Sequence, residues 1–485
     1  MPRTKTALTL VGLMALAGCS MAPDYARPPV ETGAAYKELG PWQQAGTDVP
    51  PTGKWWEMFG DQILNGLEEK IEAGNPSLAA ATARYAQASA LVDRNGAALL
   101  PEIDMGAQVG RSRVSAGRPL TAGAAVTYNN VAVGPSLSYE LDLFGRVRNS
   151  VLASETSAQA AQSDLAAVRL GLQAQLASAY FDLRGLDART VLLRETVEAY
   201  QRAYDLTDTR HSGGIASSVD ISRAQTQLST AKAELDAVIG QRARDEHAIA
   251  VLLGDVPSRF ALAVSDAQPS PPRIPVGIPS TLLERRPDVA AAERRVAAAN
   301  AQIGVARAAM YPKITLGVAG GFQSIHGNLL DSSNGFWSLG PLAATFPLFD
   351  GGANRANVDV TQAQYDLTVA DYRQTVLTAF REVEDDLATT RHYADQERNQ
   401  RDAAAAAERT RDLALTRYRD GAANYLEVVT AQTAALDAER ALLDLHSQQL
   451  KIATDTVRAL GGGYHADPEA DRTPAPSRAQ RSALP

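Results

Sequence analysis

Six histidines (His211, His247, His326, His392, His446 and His465) and one cysteine, Cys19, carry most of the ligand and nucleophile chemistry available to this 485-residue chain. The two nearest histidines stand 19 positions apart, so neither HxxxH nor HExxH occurs and no helix face presents a zinc pair. A single cysteine excludes disulfide frameworks, CxxC redox pairs and thiolate cages. There is no GxSxG elbow. The formal charge of −8, with no run of five basic residues, gives no footprint for a phosphate backbone. The chain therefore reads as a non-enzyme without a metal and without nucleic acid as a partner.

Cys19 has a different chemistry. Arg3 and Lys5 precede an uncharged apolar stretch from Ala7 to Leu16, too short to cross ~30 Å of hydrocarbon as a helix but suited to a signal-peptide core. Leu16-Ala17-Gly18-Cys19 then resembles the bacterial lipoprotein cleavage box. That resemblance implies removal of residues 1–18 and a covalent lipid on Cys19 as the only prosthetic group. Ser20, in place of Asp, resembles lipoproteins sent on to the outer membrane. No later run of 18 apolar residues offers a transmembrane helix.

Compared with itself at an offset of 207–211 residues, the chain finds a copy of itself. Asn75-Pro76-Ser77-Leu78 pairs with Arg286-Pro287-Asp288-Val289, and Ala98 to Ile103 with Ala309 to Ile314. Gly145-Arg146-Val147-Arg148 matches Gly352-Ala353-Asn354-Arg355, and Thr209 to Gln225 matches Thr416 to Gln432. Each half reads helix, strand pair, very long helix, tight turn, medium helix. The resulting segments are a lipidated start (19–74), repeat one (75–275), repeat two (276–462) and a polar tail (463–485) expected to be disordered.

Period-2 alternation marks the strands: Ile103 to Gly110, Val131 to Asp142, Ile314 to Gln323, and a weaker one around Trp337 to Phe346. Strands of this length with one apolar and one small or polar face fit an outer-membrane barrel better than soluble hairpins, whose strands average ~5–6 residues. Four strands cannot close a barrel, and lipid tolerates no open edge, so three copies would supply twelve. Proline-free runs from Gly145 to about Arg210 and from Gly352 to about Arg419 predict helices of ~100 Å. The stripe Leu165, Val168, Leu172, Leu176, Ala179, Leu183, Leu186 reads as a coiled-coil seam. Ser218 to Gly254 and Pro76 to Leu100, like Tyr425 to Gly461 and Pro287 to Tyr311, are expected to stack end to end beside a long helix. The Pro-rich segment from Gln268 to Pro279 falls at that break as a loop. The fold class is mainly α with a β-barrel contribution and an internal duplication.

With these elements in place, the chain resembles the TolC-like outer-membrane factor family, in its lipoprotein (NodT) branch. The similarity runs from Pro23-Asp24-Tyr25 through Lys54-Trp55-Trp56, Tyr139 to Arg146, Leu283 to Asp288 and Pro347 to Gly352. It implies a homotrimer with a 12-stranded barrel and a 12-column helical tunnel, a periplasmic adaptor and an inner-membrane efflux pump as partners, and passive conduction across the outer membrane. It also implies functional residues at the far tips, where the helices turn at Gly213-Gly214 and Gly421. Asp220 and Glu427 match the family's acidic pore-lining positions, and Tyr418 a tyrosine that helps hold the tip shut. Ala422 and Ala423 occupy the place of the expected basic partner, so Arg417 or Arg419 is the substitute candidate. Independently, Ser217-x-x-Asp220 and Asn424-x-x-Glu427 have capping-box spacing, which makes both acids candidate helix caps. Trp55 and Trp56 read as a packing anchor on the helix surface.

A lipid-anchored periplasmic coiled-coil scaffold without a pore is the competing function. It accounts for the helices and leaves the amphipathic strands without a role. Intact-mass spectrometry of the purified protein tests the anchor: the expected species begins at Cys19 and carries the added mass of its acyl groups, and Cys19→Ala abolishes that mass. An unmodified Cys19 at the mature N-terminus refutes the anchor.

Overall fold

The computed structural model describes residues 20–33, 35–39, 53–117, 123–265, 268–272, 274, 285–325 and 328–464. The leader, Cys19 and residues 465–485 of the expected tail lie outside the described residues, as does part of the Pro-rich segment.

The chain order is α1 (Gln62–Gly74), α2 (Pro76–Gly96), β1 (Glu102–Val114), β2 (Val126–Leu141), α3 (Arg146–Ser212), α4 (Ser218–Leu252), α5 (Pro287–Ala308), β3 (Lys313–Ser324), β4 (Gly335–Thr345), α6 (Ala353–Arg419) and α7 (Tyr425–Ala459). Both long helices have 67 residues, ~100 Å at the α-helical rise, and both tip helices have 35. The helix expected from Pro76 to Leu100 stops at Gly96 and tightens into a 3-10 turn over Ala97–Leu99. Its counterpart ends at Ala308 rather than Tyr311. In both cases the approach of Pro101 or Pro312 ends the α-helical ladder early, because the residue before a proline avoids the α region.

The four strands form one antiparallel sheet in the order β1-β2-β3-β4. Register follows the alternation: Ile103 lies opposite Leu137, Leu137 opposite Val318, and Val318 opposite Leu339. These residues share one apolar face, where Ile103, Met105, Val109, Trp337, Leu339 and Leu342 are all exposed. Asp104, Gln108, Ser136, Ser138, Thr315 and Ala343 make up the other face. The first hairpin runs further than its apolar pattern, through Arg111 opposite Asn129 and Arg113 opposite Thr127. Backbone pairing continues there beyond the apolar band.

Medium helices stack end to end along the long ones. At one junction Asn75 caps α2, accepting from Ser77 and Leu78 at 2.8 and 3.0 Å, while its Nδ2 donates to the Leu252 carbonyl at the end of α4 at 2.6 Å. At the duplicate junction Arg286 sits before α5 and donates to the Ala459 carbonyl at the end of α7 at 3.1 Å, with Glu382 and Asp288 balancing its charge. Gly254 and Gly461 close these junctions at φ +72° and +92°, each so near the next backbone that a Cβ would overlap a carbonyl oxygen.

The largest core lies at mid-height, where Trp55, Trp56, Phe59, Leu64 and Ile71 pack on Leu176, Tyr180 and Phe181 of α3, together with Val383 and Leu450. Trp55 meets Trp56 edge to face at 5.8 Å, and Phe59 meets Phe181 at 4.8 Å, so the tryptophan pair is a packing anchor. Beside it, buried Asp187 receives Arg184 at 2.8 Å and Arg242 at 2.6 Å. The same arginines donate to the Ala263 and Leu262 carbonyls, which pins the segment after α4 to the helices. The N-terminal segment is laced along the upper helices. Ser20 donates to Asn149 at 3.0 Å, Asn300 donates to the Pro23 carbonyl at 2.7 Å, Tyr25 donates to Glu293, and Arg27 donates to the Tyr372 hydroxyl at 3.1 Å.

Glu68 on α1 is fully buried in this region, and neither carboxylate oxygen has a hydrogen-bond partner among the described residues. Burial alone pushes its pKa up to about 9 from 4.5. The folded chain thus holds this proton more tightly than the unfolded chain. Its contribution is fully present below pH 4.5 and is lost as pH rises toward about 9. Glu68→Gln is expected to raise the thermal midpoint at pH 8, with a stability gain on the order of a few kcal/mol that vanishes near pH 4.5. Melting curves of both proteins across that range check this, and an unchanged difference at the two pH values would contradict it.

Candidate functional site at the helix tips

Opposite the sheet, α3 turns into α4 and α6 into α7. The two turns have the same construction. Ile215 N–H donates to the Arg210 carbonyl at 2.8 Å, and Ala422 N–H donates to the Arg417 carbonyl at 2.8 Å, a six-to-one bond of the Schellman type. Gly214 and Gly421 supply the left-handed residue at φ +77° and +78°. Gly213 has an ordinary negative φ of −81° and serves as the helix cap, so the left-handed residue of the first turn is Gly214.

The acids behave differently in the two halves. Asp220 forms a full capping box: its own N–H donates to Ser217 Oγ at 3.2 Å, and its carboxylate accepts from Ser217 N–H at 3.1 Å and from the Ser217 hydroxyl at 2.7 Å. Arg223 stands 3.9 Å from it. Glu427 shows only half of that spacing signal. Its N–H donates to Asn424 at 3.1 Å, but its carboxylate turns away and takes Arg417 at 3.1 Å. The reason is competition, since a guanidinium one turn away on α6 is a stronger partner than a lone backbone N–H. Arg417, one of the two arginine candidates, thus meets an acid and the Ala422 carbonyl within its own hairpin, while Arg419 is exposed.

Tyr418, expected among the bonds that hold the tip, is buried in a cluster with Ala224, Tyr425 and Val428. Its ring meets Tyr425 edge to face at 5.3 Å, and its hydroxyl lies 3.3 Å from that of Thr207 on α3. The aromatic partner at Tyr425 and the threonine from the other hairpin draw it inward. Burial also pushes the Tyr425 phenol up to about 12.

The residue that sequence reasoning missed is Arg210. Its guanidinium stacks over the Tyr418 ring at 4.6 Å and donates to the Tyr418 carbonyl, locking the end of α3 to the end of α6. The signal was present, because Arg210 is the repeat counterpart of Arg417. Gln227 donating to Thr433 at 2.8 Å ties α4 to α7 just above. Among the described residues no group of His, Cys, Asp or Glu could hold a metal ion. The arrangement offers carboxylates, arginines and two rigid turns, a polar end-piece for contact or passage.

A family model described as outer membrane efflux protein matches residues 67–255 and 278–462, more than half of the chain. The probable efflux pump outer membrane protein TtgC of Pseudomonas putida is 32% identical over 468 residues, spanning 95% of this chain and 96% of its own length. The outer membrane protein OprJ of Pseudomonas aeruginosa is 34% identical over 458 residues, spanning 93% and 94%. Among solved structures, the outer-membrane channel OprN superposes with a TM-score of 0.84 at 30% identity, covering 92% of this chain and 99% of that one. The chain belongs to the outer membrane efflux protein family.

Proposed function

We propose that this chain is one subunit of a homotrimeric outer-membrane channel, a passive conduit that receives cargo from an inner-membrane pump through a periplasmic adaptor. One observation carries the reading: a four-stranded sheet with an exposed apolar face and two open edges stands at one end of paired ~100 Å helices. In lipid those edges must pair. Two copies would close eight strands, whose interior side chains fill, whereas three close twelve around a lumen. Relatives named as efflux pump proteins support the adaptor and pump as partners. The chain acts without catalysis and without a cofactor besides the lipid on Cys19. Ser20 bonds Asn149 on the first turn of α3, directly beneath the sheet, which would hold that lipid at membrane height. The two repeats, 75–275 and 276–462, would each contribute two strands and one long helix to the ring. The scaffold alternative leaves the apolar sheet face in water.

Reconstituted in planar bilayers, the full-length protein is expected to conduct ions, and native mass spectrometry in detergent is expected to give three chains per particle. A stable monomer without conductance would sink the proposal. At the tip, three copies would bring together Asp220 and Glu427 three times, and rings of acid favour cations. Asp220→Asn with Glu427→Gln keeps much of the capping ability, so stability should fall by no more than ~1–2 kcal/mol per cap while cation preference declines. Unchanged ion selectivity would leave Asp220 as a cap and Glu427 as the partner of Arg417 alone.

A further inference from the structure

The first hairpin carries a charge that its duplicate lacks. Between Met105 and Tyr139 the sequence has no acidic residue, while Arg111, Arg113 and Arg118 are basic, in a chain whose overall charge is −8. The matching stretch of the second hairpin, from Leu316 to Phe346, has neither Lys nor Arg. At the repeat offset of 211 residues, Phe322 and Ser324 stand where Arg111 and Arg113 do. A strand in this place folds without arginine, so the two arginines need a reason of their own.

Arg111 and Arg113 continue the alternation of Ile103, Met105, Ala107 and Val109, and the register with β2 is unbroken from Glu102 to Val114. They therefore share the apolar face and not the face that carries Asp104 and Gln108. Both are exposed, and neither makes an ion pair among the described residues. Asn129 and Thr127 stand directly opposite them, exposed, with an amide and a hydroxyl. Same-face neighbours along a strand are ~7 Å apart and cross-strand partners ~5 Å, so the four residues form one patch.

Height fixes what the patch meets. From Leu141 up to Val131, β2 rises ~34 Å, which is ~26 Å of height at a strand tilt of ~40° and close to the ~25 Å apolar band of a barrel. Val131 pairs with Val109, so Arg111 is the first residue above that band on this face of β1, and Arg113 is the next. The lower end of the sheet continues into α3, and no described helix is long and apolar enough to cross a membrane. The arginines thus occupy the end remote from the helices, which in an outer-membrane barrel is the outer-leaflet end. The stem of Arg111 can lie along Val109 while its guanidinium reaches the headgroup layer. A guanidinium takes a phosphate through two parallel hydrogen bonds, and this part of the hairpin contributes no competing carboxylate.

We propose that Arg111 and Arg113, with Asn129 and Thr127, bind the phosphate of an anionic lipid of the outer leaflet from the lipid side of the barrel wall. The proposal rests on the barrel reading above and adds a ligand to its outer surface.

The test incubates full-length protein in detergent with bis-phosphorylated lipid A, or with the same lipid stripped of its phosphates, and measures bound lipid by native mass spectrometry. The wild type is expected to retain the phosphorylated form about tenfold more strongly. Arg111→Gln with Arg113→Gln is expected to lower that retention to the level of the stripped lipid, with chains per particle and thermal midpoint unchanged. Arg398→Gln with Arg409→Gln removes two exposed arginines from α6 and is expected to retain lipid as the wild type does. Equal retention of both lipids by the wild type, undiminished retention by the Arg111 and Arg113 variant, or an equal loss in the α6 variant overturns the lipid site and leaves the barrel standing. Wild-type monomers in the same spectra overturn the barrel and the site with it.

Discussion

Unpaired backbone in hydrocarbon is the constraint on which the rest of this molecule depends. Each N–H or C=O left open in lipid costs several kcal/mol, and the outer sides of β1 and β4 carry a full row of them. A single chain with four strands has no local remedy, since its sheet is too narrow to curl onto itself. In the proposed ring the two edges would pair with those of neighbouring copies. The apolar alternation that turns one sheet face to lipid then puts Gln108, Ser136, Ser138 and Thr315 on the face that would line the lumen. Strand pairing, membrane insertion and a wet interior are thus three consequences of one register.

Below the sheet the problem changes from edges to ends. A helix of 67 residues needs a partner along its whole length, and two medium helices per half supply it. The cost is four exposed carbonyls at each break, which must find donors in a packed interior. Asn75 and Arg286 occupy the same place in the two repeats and answer with different chemistry, one amide and one guanidinium flanked by acids. Duplication preserved the geometry of the junction while the side chains diverged.

Those differences explain how much of the fold could be read beforehand. Strands were legible because Val131, Val133, Leu137 and Tyr139 alternate against small residues and one face must be apolar. Long helices were legible because proline is absent and Leu172, Leu176 and Leu183 keep helical spacing. The tip turns were legible from Gly214 and Gly421, where backbone geometry demands glycine. What stayed hidden was partner choice. Capping spacing at Asn424 and Glu427 could not reveal that Arg417 competes for the carboxylate. The partners of Tyr418 were hidden as well, since Tyr425, Thr207 and Arg210 enclose it from two hairpins. The buried Arg184, Asp187 and Arg242 group was equally silent, because its arginines also donate to the backbone carbonyls of Leu262 and Ala263, in a segment without periodicity.

The laced N-terminal segment has a kinetic consequence. With Ser20 fixed at Asn149 and the following residues tied to Glu293 and Tyr372, the proposed lipid on Cys19 would hold a chain upright before assembly, with its sheet already at the height of its neighbours' sheets. Subunits tethered in this way search for one another by diffusion in two dimensions and in one orientation. Confinement to a thin layer raises their effective concentration by orders of magnitude without any new contact. Such an anchor would act chiefly before the channel exists, in bringing together the chains of the proposed trimer.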